Sequence, residues 1–193
     1  GKDILTTHAV YWPTMLMSAK ISLPKTIFAH GWWLTGESKM SKSLGNTVSP
    51  EQMIEQFGAD TVRLFILFAA NPTAGMDWSD SAVEANHRVM QQLQTMPDML
   101  LGWDKPAHSI DAWMLARLRQ RLQQWSDAMD RYDLRRAVEC SHYDMVKDIN
   151  WYVRRGGGSA DVGRELLDSW THMIAIATPH LAEDWWAMLG GEG

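Results

Sequence analysis

Cysteine is all but absent from this 193-residue chain, which carries Cys140 alone. One thiol cannot close an internal disulfide, so a disulfide-stapled secreted scaffold is excluded and a reducing compartment fits. Cys140 falls within an apolar helical pattern and reads as a buried structural thiol rather than a nucleophile. No run of about 18 apolar residues is present, and no secretory leader pattern either. The chain is therefore expected to be cytosolic and to have no membrane partner. An excess of positive charge is also lacking: 18 Lys and Arg stand against 23 Asp and Glu, a formal net charge of −5, which argues against indiscriminate nucleic-acid binding. There is no internal repeat and no low-complexity tract, and no metal site is assigned.

What is present is ordinary in bulk and uneven in distribution. A hydrophobic content of 46% suffices for a real core in one or two domains. Eleven Trp and thirteen Met are many for this length, and their helical spacings favour packing over any cofactor role. Residues 1–48 carry five basic against two acidic side chains, residues 49–105 three against eight, and residues 106–193 ten against thirteen. The basic first quarter holds Lys39-Met40-Ser41-Lys42-Ser43-Leu44-Gly45-Asn46. Two ammonium groups three residues apart on a tight, serine-lined loop can converge on a small polyanion, because lysine is a point-charge phosphate binder and serine adds short donors. A bare K-x-x-K is usually only a solvated surface loop; here a whole pentapeptide is involved.

Taken in order, His8 to Met17 has helical apolar spacing around Pro13 and reads as a helix entered after a strand end. Pro24 to Leu34, rich in β-branched and aromatic residues, reads as a buried strand or hairpin. Thr35-Gly36-Glu37-Ser38 then turns the chain into the lysine loop. The order helix, strand, phosphate loop fits the second half of a doubly wound α/β nucleotide fold. Ser49-Pro50-Glu51 is a strong helix start, and that helix should stop at Gly58. A helix from Asp60 to about Ala70 is apolar nearly all round, and another is capped by Asp80 or Ser81 and runs to about Gln94. Pro97, Gly102 and Pro106 mark a connection and a candidate domain boundary. Beyond it, Met114, Leu118, Leu122, Trp125 and Met129, then Leu134, Val138, Ser141, Met145, Ile149 and Tyr152, step by three and four. These are two helices of about 20 residues joined near Arg131-Tyr132-Asp133. After Gly156-Gly157-Gly158 come helices near Val162 to Ala177 and Leu181 to Leu189, so an antiparallel bundle is expected.

The pentapeptide Lys39 to Ser43 resembles the KMSKS signature of the class I aminoacyl-tRNA synthetases. The resemblance implies a loop that closes over ATP, delivered with Mg²⁺, contacted by Lys39, Met40, Ser41, Lys42 and Ser43. In it Lys42, with Lys39, is catalytic and stabilises the charge developing on pyrophosphate, which is transition-state electrostatics. Gly1-Lys2-Asp3, with His8 five residues after the aspartate, is similar to a segment that sets a carboxylate on the ATP ribose and a histidine in the amino-acid pocket. Gly1 and Asp3 are thus implied in ATP binding, and His8 and Trp12 in the amino-acid pocket. Residues 1–46, notably Tyr11-Trp12-Pro13 and Phe28 to Trp33, look like the methionyl members. Gly58 to Ala70 and Met76 to Glu84 look like the leucyl members, and Ile149 to Arg155 and Thr178 to Asp184 look like their archaeal and eukaryotic helical domain. The longer matches favour leucine. The family's H-x-G-H motif is absent, since His30-Gly31 is followed by Trp32. The expected organisation is the carboxyl half of a catalytic domain over 1–48, a helical connective region over 49–105 and a tRNA-binding bundle over 106–193. The missing amino-terminal half is then a required partner, and the chain alone is expected to be inactive. A methionyl-like enzyme, or a non-catalytic tRNA-binding or assembly module, stands as the alternative.

Nine basic residues lie on the two long helices and their ends, among six acidic ones, and a mixed solvated face would explain most of them. With the resemblance, Arg154 and Arg155 beside Trp151 and Tyr152 become the favoured RNA-facing patch, with Arg135 and Arg136 beside them in the tRNA-binding set. Aromatic faces stack bases while arginine pairs with phosphates.

Overall fold

The computed structural model describes residues 1–36 and 38–191, and of Lys42 the backbone only. The chain divides into two compact units, one of Gly1–Thr47 with Ala70–Trp78, the other of Val48–Ala69 with the residues from Ser79 onward.

The first unit opens helically. Lys2–Ile4 form a 3-10 turn, Thr7–Tyr11 a π turn and Trp12–Ser18 the helix α1. Pro13 brings no N–H to this run, and the backbone ahead of it widens into the π turn. The helix expected from His8 therefore starts earlier, and Gly1 leads into a 3-10 turn rather than out of a strand. The strands are short: β1 (Trp33–Thr35), β2 (Ser38–Lys39) and β3 (Met76–Asp77), in the order β2-β1-β3. β1 pairs antiparallel with β2, with Leu34 opposite Lys39, and parallel with β3, with Trp33 opposite Met76. Just before β1 the Gly31 amide donates to the Pro72 carbonyl at 2.7 Å. A Cβ at Gly31 would stand 1.9 Å from the Ala74 carbonyl oxygen, so only glycine permits this approach. The buried strand expected over Pro24 to Leu34 is corrected. Only its last two residues enter β1, and Phe28 and Trp32 are 44% and 48% exposed. Strand propensity reflects fit to a half-buried pleated surface, and residues 24–32 are not laid on one.

The second unit is helical. Ser49 caps α2 (Pro50–Phe57), its Oγ accepting from the Gln52 amide, and Gly58 ends it at φ +83 before α3 (Ala59–Phe68). The cap of α4 (Asp80–Gln94) is Ser79, not Asp80 or Ser81: Ser79 has the extended backbone of a cap and its Oγ accepts from the Ala82 amide. The stretch expected to be a bare connection holds α5 (Met96–Leu101), with Pro97 in its first turn, where a missing N–H costs nothing. α6 (Asp111–Asp130) is followed by a turn at Tyr132, φ +58, and then by one helical run: α7 (Leu134–Val138), a π segment (Glu139–Asp144) and α8 (Met145–Val153). α9 (Ala160–Ile174) and α10 (Pro179–Met188) complete it. Met114, Leu118, Met145, Ile149, Leu166 and Trp170 are essentially inaccessible and form one core with α3, α4 and α5. Trp170 and Trp185 meet edge to face at 5.0 Å, and the Trp170 indole donates to the Ser141 carbonyl. Cys140 is fully buried, and burial pushes its thiol pKa up, so it is a core residue. Among the described residues no helix is long and apolar enough to cross a membrane.

Candidate functional site

The first unit brings Asp3 and Lys39, 36 residues apart in sequence, into an ion pair. The 3-10 turn sets Asp3, and strand β2 sets Lys39, whose ammonium also lies 5.5 Å from the centre of the Trp32 ring. The hydrogen bond from Lys39, helped by one from Trp32, holds the Asp3 carboxyl below the usual carboxylate range. Both side chains are about half exposed, 48% for Asp3 and 49% for Lys39, so a ligand can reach them. Gly1 sits against the His30 ring, where an added Cβ would be 3.2 Å from Cε1, and the Lys2 amide donates to the His30 carbonyl.

From Lys39 the chain enters the loop. The Met40 amide donates to the Trp33 carbonyl at 3.0 Å, Lys42–Leu44 make a 3-10 turn, and Gly45 reverses the backbone at φ +64. The Ser41 and Ser43 hydroxyls are 2.7 Å apart. The Lys42 side chain lies outside the described residues, and so does Glu37 of the expected turn. Asn46 closes the loop, bonding the Ser41 amide and the Lys39 carbonyl. Asn46 and Trp32 hold this site together, yet neither stood among the residues expected in it. The available signal was an asparagine directly after a turn glycine, where a side-chain amide can substitute for backbone partners.

His8 and Trp12 are brought together but stand apart from the ion pair in the hydrogen-bond network. His8 lies in the π turn with its Nδ1 2.9 Å from the Ile4 carbonyl, its ring 6.4 Å edge-on from Trp12. With Thr7, Tyr11 and Met15 they line an open, largely apolar hollow of about 510 Å³. Such a hollow suits an apolar side chain.

In the second unit the basic residues sort into two kinds. Arg121, buried, forks between Asp148 and Asp144 at 2.7 and 2.8 Å, Arg117 reaches Asp148, and Arg136 is tied to Glu139, Asp144 and Gln124. Arg136, expected toward RNA, is thus committed to an internal network. Arg135 is exposed over the Phe68 ring, which itself stacks on Tyr143 at 4.3 Å. Arg154 and Arg155 are exposed and make no ion pair among the described residues. Asp144 and Asp148, which could have taken them, are engaged by Arg117, Arg121, Arg136 and Lys147. The Arg155 guanidinium lies 3.6 Å from the centre of the Trp151 ring, and Trp113 covers Trp151 at 3.9 Å. Tyr152, expected as a stacking face, is wholly buried and donates to Asp111 at 2.6 Å. The two arginine pairs sit near opposite ends of one helical run, about 30 Å apart at the rise of an α-helix.

A family model described as class I tRNA synthetases (M) matches residues 1–96, and one described as the anticodon-binding domain of tRNA ligase matches residues 111–193. The leucine–tRNA ligase of Pyrococcus horikoshii is 31% identical over all of this chain, and that of Methanothrix thermoacetophila 30% identical over 98% of it. The chain spans about a fifth of these relatives, 21% and 20% of their lengths. Among solved structures, the methionyl-tRNA synthetase of Mycobacterium tuberculosis in complex with methionyl-adenylate is 30% identical with a TM-score of 0.76, covering all of this chain and 43% of that one. The LeuRS agnB2 of Agrobacterium radiobacter K84, in a ternary complex with tRNA and LeuAMS, is 22% identical with a TM-score of 0.74 over 93% of this chain and 25% of that one; it shows the fold alone. The expected pairing of a nucleotide-fold portion with a helical domain is the architecture of these neighbours. With family models of this class matching residues 1–96 and 111–193, and similarity to the ligases along the whole of this chain, the chain belongs to the class I aminoacyl-tRNA synthetases.

Proposed function

We propose that this chain supplies one side of the ATP site and a tRNA-binding bundle to a leucyl-tRNA synthetase. The enzyme activates leucine with ATP and esterifies it to tRNA. The observation that carries this reading is the meeting of Asp3 and Lys39 beside the lysine loop, a carboxylate suited to ribose hydroxyls and an ammonium suited to phosphates in one exposed cluster. ATP enters as its Mg²⁺ complex, whose cation offsets phosphate charge. On this chain, Asp3 accepts from the ribose, Gly1 admits the nucleotide by its lack of a side chain, and Met40, Ser41 and Ser43 line the phosphates. Lys39 and Lys42 then hold the charge that builds on pyrophosphate as the leucine carboxylate attacks the α-phosphate. His8 and Trp12 border the leucine side chain. The bundle from residue 106 onward, through Arg135, Trp151, Arg154 and Arg155, faces the tRNA backbone; Arg136 acts by holding the bundle's ion network. The setting is the cytoplasm, in keeping with a lone buried thiol.

The reading requires a partner carrying the family's H-x-G-H motif. Exposed Tyr11, Met15, Met17, Ile21 and Phe28 on the first unit supply apolar surface for it. One observation favours methionine instead of leucine: the family model over residues 1–96 and the 30% identical solved structure are both of methionyl kind. ATP–pyrophosphate exchange, run on the chain alone and mixed with an amino-terminal half bearing H-x-G-H, tests both readings. Exchange is expected only in the mixture and only with leucine, and Lys42→Ala should lower it by about a hundredfold to a thousandfold, the effect of removing one charged transition-state stabiliser. Methionine-driven exchange would replace the substrate. No exchange in any mixture would make the chain a non-catalytic tRNA-binding module.

A further inference from the structure

Asn46 follows the glycine that reverses the lysine loop, and its side chain reaches back across that loop. Its Oδ1 accepts the Ser41 amide at 2.8 Å, its Nδ2 donates to the Lys39 carbonyl at 3.2 Å, and its own carbonyl accepts the Thr35 hydroxyl at 3.0 Å. One residue is thereby tied to β1, to the end of β2 and to the residue entering the 3-10 turn. The Met40 amide, between the two bonded groups, is held by the Trp33 carbonyl at 3.0 Å. Backbone groups of three successive residues, Lys39, Met40 and Ser41, are thus fixed before the chain reaches Lys42. Gly45 makes this possible: its φ of +64 turns the chain so that Asn46 faces inward, and a Cβ there would meet nothing within 4 Å, so conformation rather than space requires glycine. The chemistry at position 46 is equally selective. A primary amide presents an acceptor and a donor on one flat group, whereas an aspartate has acceptors only and a serine is too short to span both sites.

We propose that Asn46 is a positioning residue for the nucleotide loop, fixing the backbone from Lys39 to Ser41 so that Lys42 is delivered to one place. The proposal rests on the reading of this loop as an ATP site. Charge held in place before the reaction stabilises a transition state without reorganising, so loosening the loop lowers the rate of pyrophosphate exchange more than it raises the KM for ATP.

The test pairs amide hydrogen exchange on the 193-residue chain, followed by NMR, with pyrophosphate exchange in the two-part mixture. In Asn46→Ala the Ser41 amide should exchange roughly threefold to tenfold faster, as loss of one net hydrogen bond implies, while the Ile149 amide in the bundle is unchanged. The exchange rate with saturating ATP should fall by about tenfold, with KM moving by less than about twofold. Asn46→Asp keeps an acceptor for Ser41 and should return its amide to within about twofold of the unaltered chain. An unchanged Ser41 amide in Asn46→Ala overturns the proposal, and so does a freed Ser41 with an unchanged turnover rate. A mixture of unaltered parts that performs no pyrophosphate exchange, while Asn46→Ala still frees Ser41 and Asn46→Asp restores it, overturns the nucleotide reading and supports Asn46 as the residue that orders the loop.

Discussion

His142 is completely inaccessible, with its Nδ1 2.8 Å from the Ser141 hydroxyl and its Nε2 3.1 Å from that of Thr178. Burial penalises the imidazolium and lowers the pKa from 6.5 to about 3, a hydrogen bond with Val138 and the charge of Asp60 opposing it. The folded chain therefore binds this proton less readily than the unfolded chain does. The stability this contributes is fully present above pH 6.5 and is lost as pH falls from there toward about 3. Across that window the slope is about 1.4 kcal/mol per pH unit from this one residue. Urea midpoints measured from pH 7 to pH 4 should fall accordingly, and His142→Gln should flatten the profile while lowering stability at pH 7. An equally steep profile in the variant would assign the slope to other groups. The neighbouring ion network works by geometry instead. Arg121 satisfies two buried carboxylates at once, so its removal would leave Asp144 and Asp148 with fewer partners.

Helices α5 and α9 approach closely at Gly163. An added Cβ there would lie 2.3 Å from the Leu100 carbonyl oxygen and 3.1 Å from the Trp103 ring. Two effects compete in Gly163→Ala. Alanine favours a helix interior by about 1 kcal/mol, whereas overpacking against a backbone carbonyl costs about 1 to 3 kcal/mol. The second prevails because a carbonyl in a packed helix cannot rotate away as a side chain can. The variant should be less stable by about 1 to 2 kcal/mol in urea unfolding, and a gain in stability would show that α5 yields. Other elements mark what was legible at this scale. Ser49, Pro50 and Gly58 marked α2 to the residue, because capping is a local hydrogen-bond problem solved within a few positions. The start of α4 slipped by one residue, since Ser79, Asp80 and Ser81 are all capable caps and only the extended backbone at Ser79 chose between them. Residues 24–32 look strand-like, but a strand forms only where a neighbour supplies the other half of its ladder.

With a net charge of −5, the molecule as a whole does not attract a polyanion, so the tRNA binding proposed above must rest on a local surface. Arg154 and Arg155 provide it on the reading proposed above: exposed, free of ion pairs among the described residues, at the carboxyl end of α8. Replacing both by Ala should weaken tRNA binding and lower the slope of log K against log salt by about one to two units, at unchanged leucine-dependent pyrophosphate exchange. Measurement at three or more salt concentrations decides, and an unchanged slope would remove both arginines from the interface. Trp113→Ala makes a companion variant, because Trp113 stacks on Trp151, whose ring lies beside the Arg155 guanidinium.

The amino-acid order by itself determined the helical register of the bundle, its turns at Tyr132 and the Gly156 to Gly158 break, and the pentapeptide that points to a nucleotide. Each of these is a short-range pattern, repeating every three or four residues or confined to a few neighbours. Only the tertiary structure decided which charged residues are spoken for. Arg136 and Arg154 look alike in sequence, yet one is bound into a carboxylate network across helices and the other is exposed. Tyr152 and Trp151 are adjacent, yet successive residues on a helix point about 100° apart, so one is buried in the core and the other stacks beneath an arginine. The pairing of Asp3 with Lys39, across 36 residues, belongs to the same class: proximity through the fold, which no local spacing encodes.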